Sequence, residues 1–526
     1  MDKRIVLACV VAVVCSILPC RGDGVSTTQL KKLGQVLLNI NDRYVDKVDA
    51  ESLVEAAIGG MLKELDPHST YYSADEAAKL NAQIDGNFEG IGVQFMMLAD
   101  TMVVTQTIAG CPAERVGVRP GDKIIVAGGK PISGVKMSTS DIMSILRGKA
   151  GSTIKITVQR AGVKRPIDFV IQRGKIPIYS VDAAYMITPT IGYVKLNSFS
   201  ATTPAEFSQA LNDLRNQGMK QLLIDLQGNG GGLLHSATTI IDEFLSYGQT
   251  IVYTKGNKYP TQTLKATDDG TCDYTNVVVL VDENSASASE IMAGALQDWD
   301  RGVIVGRRTF GKGLVQVPIT LVDGALLRVT VARYYTPSGR NIQKPYNKGK
   351  DTYQKELDER FKHGELTSAD SINFPDSLRY KTNVLGRTVY GGGGIMPDVF
   401  VALDTTRTNN YHRDLVAKGT MNRTVFEYAT AQRKALLKRY ATFEQFDSEF
   451  QAEELQHTLI DNGVQDSVAF DHEAFEAAKP LIVLQIKALL ARDLYGNAYY
   501  YRIMNTQNDI VQRGIEVLEH YDEYLK

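Results

Sequence analysis

Apolar positions along the chain fall into distinct textures. From Thr28 to Tyr44 they recur at helical spacing through Leu30, Leu33, Leu37 and Ile40, and from Ala50 to Leu65 through Leu53, Ala57, Met61 and Leu65. This predicts two amphipathic helices. The second ends at Asp66-Pro67, because proline disfavours helical backbone in the residue before it. Between about Phe88 and Arg173 short strand-like runs alternate with glycine turns. Phe88 to Phe95 reads as a Gly-rich loop running into a strand, Ser140 to Leu146 as a helix and Ile154 to Val158 as a strand.

After Arg173 the units lengthen. Strands are predicted at Ile191–Leu196, Leu222–Leu226 (interrupted only by Asp225), Val277–Val281, Val303–Gly306 and Leu326–Val331. Helix faces follow at Phe207, Leu211 and Leu214, then through Ile240 and Phe244. Strands alternating with helices predict a βαβ core with its functional loops at strand ends. Residues at about 344–388 are polar, lack periodicity and read as an insertion or surface excursion. Beyond Thr405 the pattern is helical, notably at Leu481–Leu494 and Ile510–Tyr521. The fold class is therefore multidomain α+β: a helical region at 23–86, a small strand-rich module at 87–174, an α/β core at 175–404 and a C-terminal helical region at 405–526. The two helical ends are candidates to pack together or against a second copy.

The 526 residues carry 58 basic and 60 acidic side chains. That balance gives no electrostatic case for nucleic acid. Lys3 and Arg4 precede an apolar run from Ile5 to Leu18, short for a bilayer span and suited to a signal-peptide core. Export is expected, with cleavage after Gly22. The alternatives are acylation of Cys20, giving a lipid anchor, and an uncleaved membrane anchor. The expected location is the periplasm or cell envelope, or the exterior if secretion continues. Once Cys9, Cys15 and Cys20 are set aside with this segment, Cys111 and Cys272 make neither a disulfide framework nor a metal site. Histidines, His472 and His520 among them, lack metal-ligand spacing, so no metal or other cofactor is expected.

The chemistry concentrates between Asn276 and Gln316. The run Val277–Val281 breaks into Asp282-Glu283-Asn284-Ser285-Ala286-Ser287-Ala288-Ser289-Glu290, then a helical pattern with Ile291, Ala295 and Leu296. Downstream, Lys312 sits between Gly311 and Gly313. A serine needs a base to remove its proton. A lysine with a pKa near ~10.4 is neutral only about four times in ten thousand at pH 7, but burial without a counter-charge lowers that pKa. The small, uncharged neighbours of Lys312 in sequence suit this. Physics alone leaves Ser285, Ser287 and Ser289 open, and leaves His235 as the base of an alternative Ser-His pair, although a loop or helix-start role fits that histidine better.

Two motifs resolve these choices by resemblance. The sequence "PAERVGVRPGDKI" with the loop Gly90–Val93 resembles a PDZ domain of exported proteases. "ENSASASEI" followed by "FGKGLVQ" is similar to the C-terminal (tail-specific) processing peptidases. The resemblance runs from the first helical pair to about Asp398 and implies a ClpP/crotonase-like α/β peptidase core with an inserted PDZ domain. It implies a serine endopeptidase with Ser287 as nucleophile, Lys312 as general base and Gln316 orienting the lysine. Oxyanion donors are expected from the backbone of Ala288 and of Gly231 or Gly232. The family's "DLRxNPGG" departs here, with Gln227 for the arginine and Gly230 for the proline. Gly90, Ile91, Gly92 and Val93 would bind the C-termini of protein or peptide substrates with apolar tails. A homodimer through the helical ends and an adaptor or activator are candidate partners. An exported peptide-binding scaffold that cuts nothing is the alternative of another class, disfavoured because both dyad residues are present.

Overall fold

The computed structural model describes residues 25–525 apart from Ala99, Asp273 and Tyr274; the predicted signal segment lies outside them. The chain forms two compact units, one of residues up to Ala74 with Gln316–Thr330, the other of Asp75–Val315 with Val331 onward.

In the smaller unit the two expected helices form at Thr27–Arg43 and Ala50–Lys63. Ser26 caps the first and Asp49 the second, each side chain accepting from a backbone N–H of the first turn, which satisfies a donor the helix leaves unpaired. Neither helix has a buried residue, and Leu30, Leu33, Val36 and Met61 are exposed. After Pro67, Asp66 Oδ1 accepts from the amides of His68 (2.8 Å) and Ser69 (2.9 Å), folding a tight turn into the strand Thr70–Tyr72. That strand pairs antiparallel with Leu326–Arg328.

In the larger unit the module resembling a PDZ domain is an antiparallel sheet. Its strand order is Val93–Leu98, Thr101–Thr107, Lys123–Ala127, Thr153–Gln159, Ile167–Gln172. A helix, Thr139–Leu146, seals its core through Ile142 and Leu146 against Met102, Val104, Ile124 and Ile156.

The α/β core is a six-stranded sheet in sequence order: β1 (Val181–Met186), β2 (Ile191–Leu196), β3 (Gln221–Asp225), β4 (Asn276–Val281), β5 (Val303–Gly306) and β6 (Val399–Phe400). Only β1 is antiparallel to its neighbour. Residues alternate between faces, as strand geometry requires. Leu222, Ile224, Val277 and Val279 join one core with residues of α1 (Thr203–Asn216), α2 (Leu234–Asp242) and α3 (Ala288–Asp298). Leu223, Val278 and Leu280 join another with Ile510, Val511, Val517 and Leu518 of α4 (Asp509–Glu519). Both faces are thus covered, which explains why β3 and β4 read as continuous apolar runs. Gly514 of α4 lies so close that an added Cβ would fall 2.7 Å from Leu280 and 2.8 Å from Leu223. The helices between Asn410 and Met504 build a further core of their own.

Most residues of the stretch 344–388 are exposed, yet it is more regular than its lack of periodicity predicts. It holds helices Lys350–Gln354 and Glu356–Lys362 and a hairpin of Arg379–Lys381 with Thr388–Tyr390. Lys344 and Arg360 are buried. Lys344 Nζ lies 2.9 Å from Glu356 and 3.9 Å over the Phe310 ring. A few of its polar side chains, Lys344 and Arg360 among them, are buried inside the protein, which hydrophobic periodicity cannot register.

Candidate active site

At the end of β4 the chain turns on Asp282, whose Oδ1 accepts from the amides of Asn284 (3.0 Å), Ser285 (3.0 Å) and, from the glycine loop, Gly228 (2.9 Å). Ser287 then stands at φ 57°, ψ −112°, immediately before α3. A non-glycine residue in such a conformation costs roughly 1–3 kcal/mol and persists only where its surroundings hold it. Here α3 is buried along its whole length.

The three serines separate cleanly. Ser285 Oγ donates to the Leu226 carbonyl at 2.8 Å and Ser289 Oγ to the Asn229 carbonyl at 2.9 Å, and both residues are fully buried. Those hydroxyls hold the turn to the loop after β3. Ser287 is only half-buried.

The glycine loop packs directly on this serine. Gly231, at φ +98°, could carry no side chain: an added Cβ would lie 2.8 Å from Ser287 Cβ and 2.9 Å from the Ala288 amide nitrogen. The Gly231 amide itself donates to Asn229 Oδ1 at 2.8 Å. Ala288, first residue of α3, carries one of the N–H groups that helix geometry leaves without an intrahelical acceptor. Ala288 and the exposed Gly232 are therefore the remaining backbone donors of the expected set. The side chain of Gln227, where the family motif has arginine, accepts from Asn508 Nδ2 (3.4 Å) through Oε1, while its Nε2 is buried without a partner.

The lysine arrives on the irregular loop after β5. Glu290, the third residue of α3, joins this loop to the serine turn. Its Oε2 accepts from the amides of Ser287 and Lys312, both at 2.8 Å, and its Oε1 from the Gly311 amide (2.7 Å) and Thr309 Oγ1 (2.6 Å). Burial pushes this carboxyl up to about 7, against the hydrogen bonds from Thr309, Lys312, Gly311 and Ser287 that favour its charged form. On the other side Tyr334 hydroxyl contacts the Ser287 carbonyl at 3.1 Å and the Lys312 carbonyl. The backbones of Ser287 and Lys312 are thus clamped between the same two side chains. Lys312 is half-buried, and its neighbourhood includes a charge absent from the sequence expectation, the carboxyl of Glu290. Sequence reasoning missed Glu290, although the spacing Ser287-x-x-Glu290 was visible as a capping box.

Gln316 lies in the smaller unit, where its Nε2 donates to Thr330 Oγ1 (3.2 Å), whose hydroxyl in turn reaches Asp66 Oδ1 (3.0 Å). Asp66-Pro67-His68 therefore does more than end a helix. His235 is exposed at the start of α2. In the PDZ-like module Gly90, Ile91, Gly92 and Val93 border a cleft of about 60 Å³ that is closed by Phe95, Met143 and Leu146. Gly92, at φ +82°, leaves no room for a Cβ, which would meet that of Cys111 at 2.4 Å. Arg147 stacks 4.9 Å over Phe88 at the rim. Among the described residues no group of three or more His, Cys, Asp or Glu could hold a metal, and no helix is long and apolar enough to cross a membrane.

Models of known families match four stretches: peptidase family S41 at 190–349, a PDZ domain at 103–160, the activating protease CtpB N-terminal domain at 20–76 and a family of unknown function at 411–496. The chain is 36% identical over 348 residues to a carboxy-terminal-processing protease of Bartonella bacilliformis, covering 65% of this chain and 79% of that one. It is 35% identical over 330 residues to the carboxy-terminal processing protease CtpA of Bacillus subtilis, covering 62% and 70%. Among solved structures, the photosystem II D1 C-terminal processing protease matches at 26% identity, 73% and 95% coverage and a TM-score of 0.36.

Proposed function

The chain belongs to peptidase family S41, as a C-terminal processing serine peptidase with a PDZ domain, and we propose that it cuts exported proteins with a Ser287–Lys312 dyad. Neutral Lys312 removes the Ser287 hydroxyl proton as Oγ attacks the peptide carbonyl. The oxyanion forms against the amides of Ala288 and Gly232, and the lysine returns the proton to the leaving amine. Water, deprotonated by the same lysine, then hydrolyses the acyl-enzyme. The observation that carries this reading is the clamp: the amides of Ser287 and Lys312 share one carboxylate oxygen of Glu290, with Gly231 pressed on the serine. Gln316 orients the lysine in this proposal.

The PDZ domain takes the substrate's apolar C-terminus into the cleft beside Gly90–Val93, with the tail adding as a strand and its carboxylate meeting the loop amides. The cleft is small, which suits a short terminal side chain. The N-terminal segment directs export to the periplasm or envelope. The exposed apolar stripe Leu30, Leu33 and Val36 pairs with a second copy, because a stripe of this extent on a helix is ordinarily covered.

The test is protein lacking residues 1–22 acting on an unfolded reporter with an apolar tail, with products identified by mass spectrometry. Ser287→Ala and Lys312→Ala each lower kcat by about four to six orders of magnitude, and His235→Ala leaves it intact. Full activity in Lys312→Ala with loss in His235→Ala would replace the dyad by a Ser-His pair. Unchanged cleavage after deletion of residues 88–173 would remove the PDZ domain from the reading.

A further inference from the structure

The loop 307–313 has no regular secondary structure, so its backbone groups must find partners elsewhere. Its amides do so within the peptidase core and the returning chain. Thr309 donates to the Ile395 carbonyl (3.1 Å), Phe310 to that of Ser285 (3.0 Å), Gly311 and Lys312 to Glu290, and Gly313 to Gln343 Oε1 (2.8 Å). The Gly311 carbonyl accepts from Lys344 N (2.9 Å), and that of Gly313 from Tyr334 N (3.0 Å). The carbonyls of Arg308 and Thr309, two consecutive peptides just before the lysine, are both served by one side chain. Arg360 reaches Arg308 O at 2.6 Å through Nη2 and Thr309 O at 3.1 Å through Nη1.

We propose that Arg360, from the stretch 344–388, is a positioning residue for the catalytic lysine loop. This rests on the reading of Lys312 as the base. Thr309 is the node: its carbonyl is held by Arg360, its amide by Ile395, and its hydroxyl donates to Glu290, the carboxylate that holds Ser287 and Lys312. A displaced Thr309 is passed to both reacting residues. Arg360 is 3% exposed; Glu365, which pairs with Arg308 at 2.5 Å, lies 3.5 Å from Arg360 Nε without hydrogen-bonding to it. The planar fork matters, because a guanidinium can bridge two adjacent carbonyls from one rigid plane. A buried ion network contributes little net stability against a well-packed apolar substitute. Its contribution here is to fix where the loop sits.

The experiment compares Arg360→Gln, Arg360→Lys and Lys312→Ala in otherwise full chain. It records kcat, KM and the pH profile of kcat/KM on the reporter, the rate of Ser287 labelling by a fluorophosphonate, and the melting temperature. Arg360→Gln lowers kcat by about 10²-fold, the scale of an ångström-sized misplacement, with KM within about twofold, slower labelling and a displaced acid limb. Arg360→Lys, able to hold one carbonyl, falls between it and the parent. If Arg360→Gln does not fold, Arg360→Lys carries the test. Parental kcat and pH profile in the folded variants, or a loss that merely tracks the unfolded fraction, overturns the proposal. An active Lys312→Ala instead removes the reading beneath it, whatever Arg360 does.

Discussion

The serine–lysine framework and the N-terminal helical pair are opposites built from equally clear sequence patterns. In the first, polar side chains are buried and paired: Ser285, Ser289, Glu290 and Thr309 are all inaccessible and all hydrogen-bonded. In the second, apolar side chains at regular helical spacing are left in the open. Periodicity reports that a surface wants a partner. It does not report whether the partner is in the same chain. Polarity likewise reports hydrogen-bonding capacity, and a buried network satisfies that as well as water does.

Each side of this contrast can be broken. Among residues that support Ser287 and Lys312, the largest effect is expected from Glu290→Gln. The amide keeps one acceptor oxygen and turns two donors toward a pair of groups that themselves donate, costing about 1–3 kcal/mol for each group left unpaired. We expect kcat to fall by about 10²–10³-fold, with a lower melting temperature.

The same residue gives a pH prediction. Its carboxyl is held at about 7 by burial, against 4.5 ordinarily, so the folded state binds the proton more tightly. The stability it contributes is present below about 4.5 and is lost as pH rises through 7. Acidifying from pH 8 to 6 should therefore lower kcat/KM, as the clamp loses its carboxylate, while this group strengthens the fold. Activity and thermal melting measured across that range would separate the two. A parallel decline of both would assign the acid limb to unfolding.

Gly231→Ala comes next. The new Cβ meets Ser287 and the Ala288 amide, so kcat should drop about 10²-fold, more than fold stability does. Equal kcat would mean the loop has slack. The smallest effect on chemistry is expected from Leu33→Glu. Sedimentation at micromolar concentration should show monomers in place of dimers, with per-site cleavage nearly unchanged. If the parent chain is itself monomeric, the apolar stripe is covered by something else.

Much of this was legible beforehand. The strand–turn–helix around Ser287 follows from an apolar run that stops at Asp282, and β2 and β5 begin and end where their apolar runs do. The expectation of Ser287 rests on the resemblance; what the sequence could not tell is that the carbonyls of Leu226 and Asn229 engage the hydroxyls of Ser285 and Ser289. Glu290 was hidden by familiarity, since an acidic residue three positions after a serine looks like ordinary capping. Arg360 could not be read at all. Its partners are backbone carbonyls some fifty residues away, and a carbonyl looks the same in every residue.

The helix α4 carries one further consequence. It seals the face of the sheet formed by Leu223, Val278 and Leu280, yet it follows β4 by more than two hundred residues of chain. At ordinary ribosomal speed that interval is on the order of tens of seconds. During synthesis the central strands must wait with one oily side uncovered, and a nascent chain that already holds Ser287 and Lys312 still lacks the support under its strands. Until that last helix is made, this apolar face is the part of the unfinished chain most in need of sheltering.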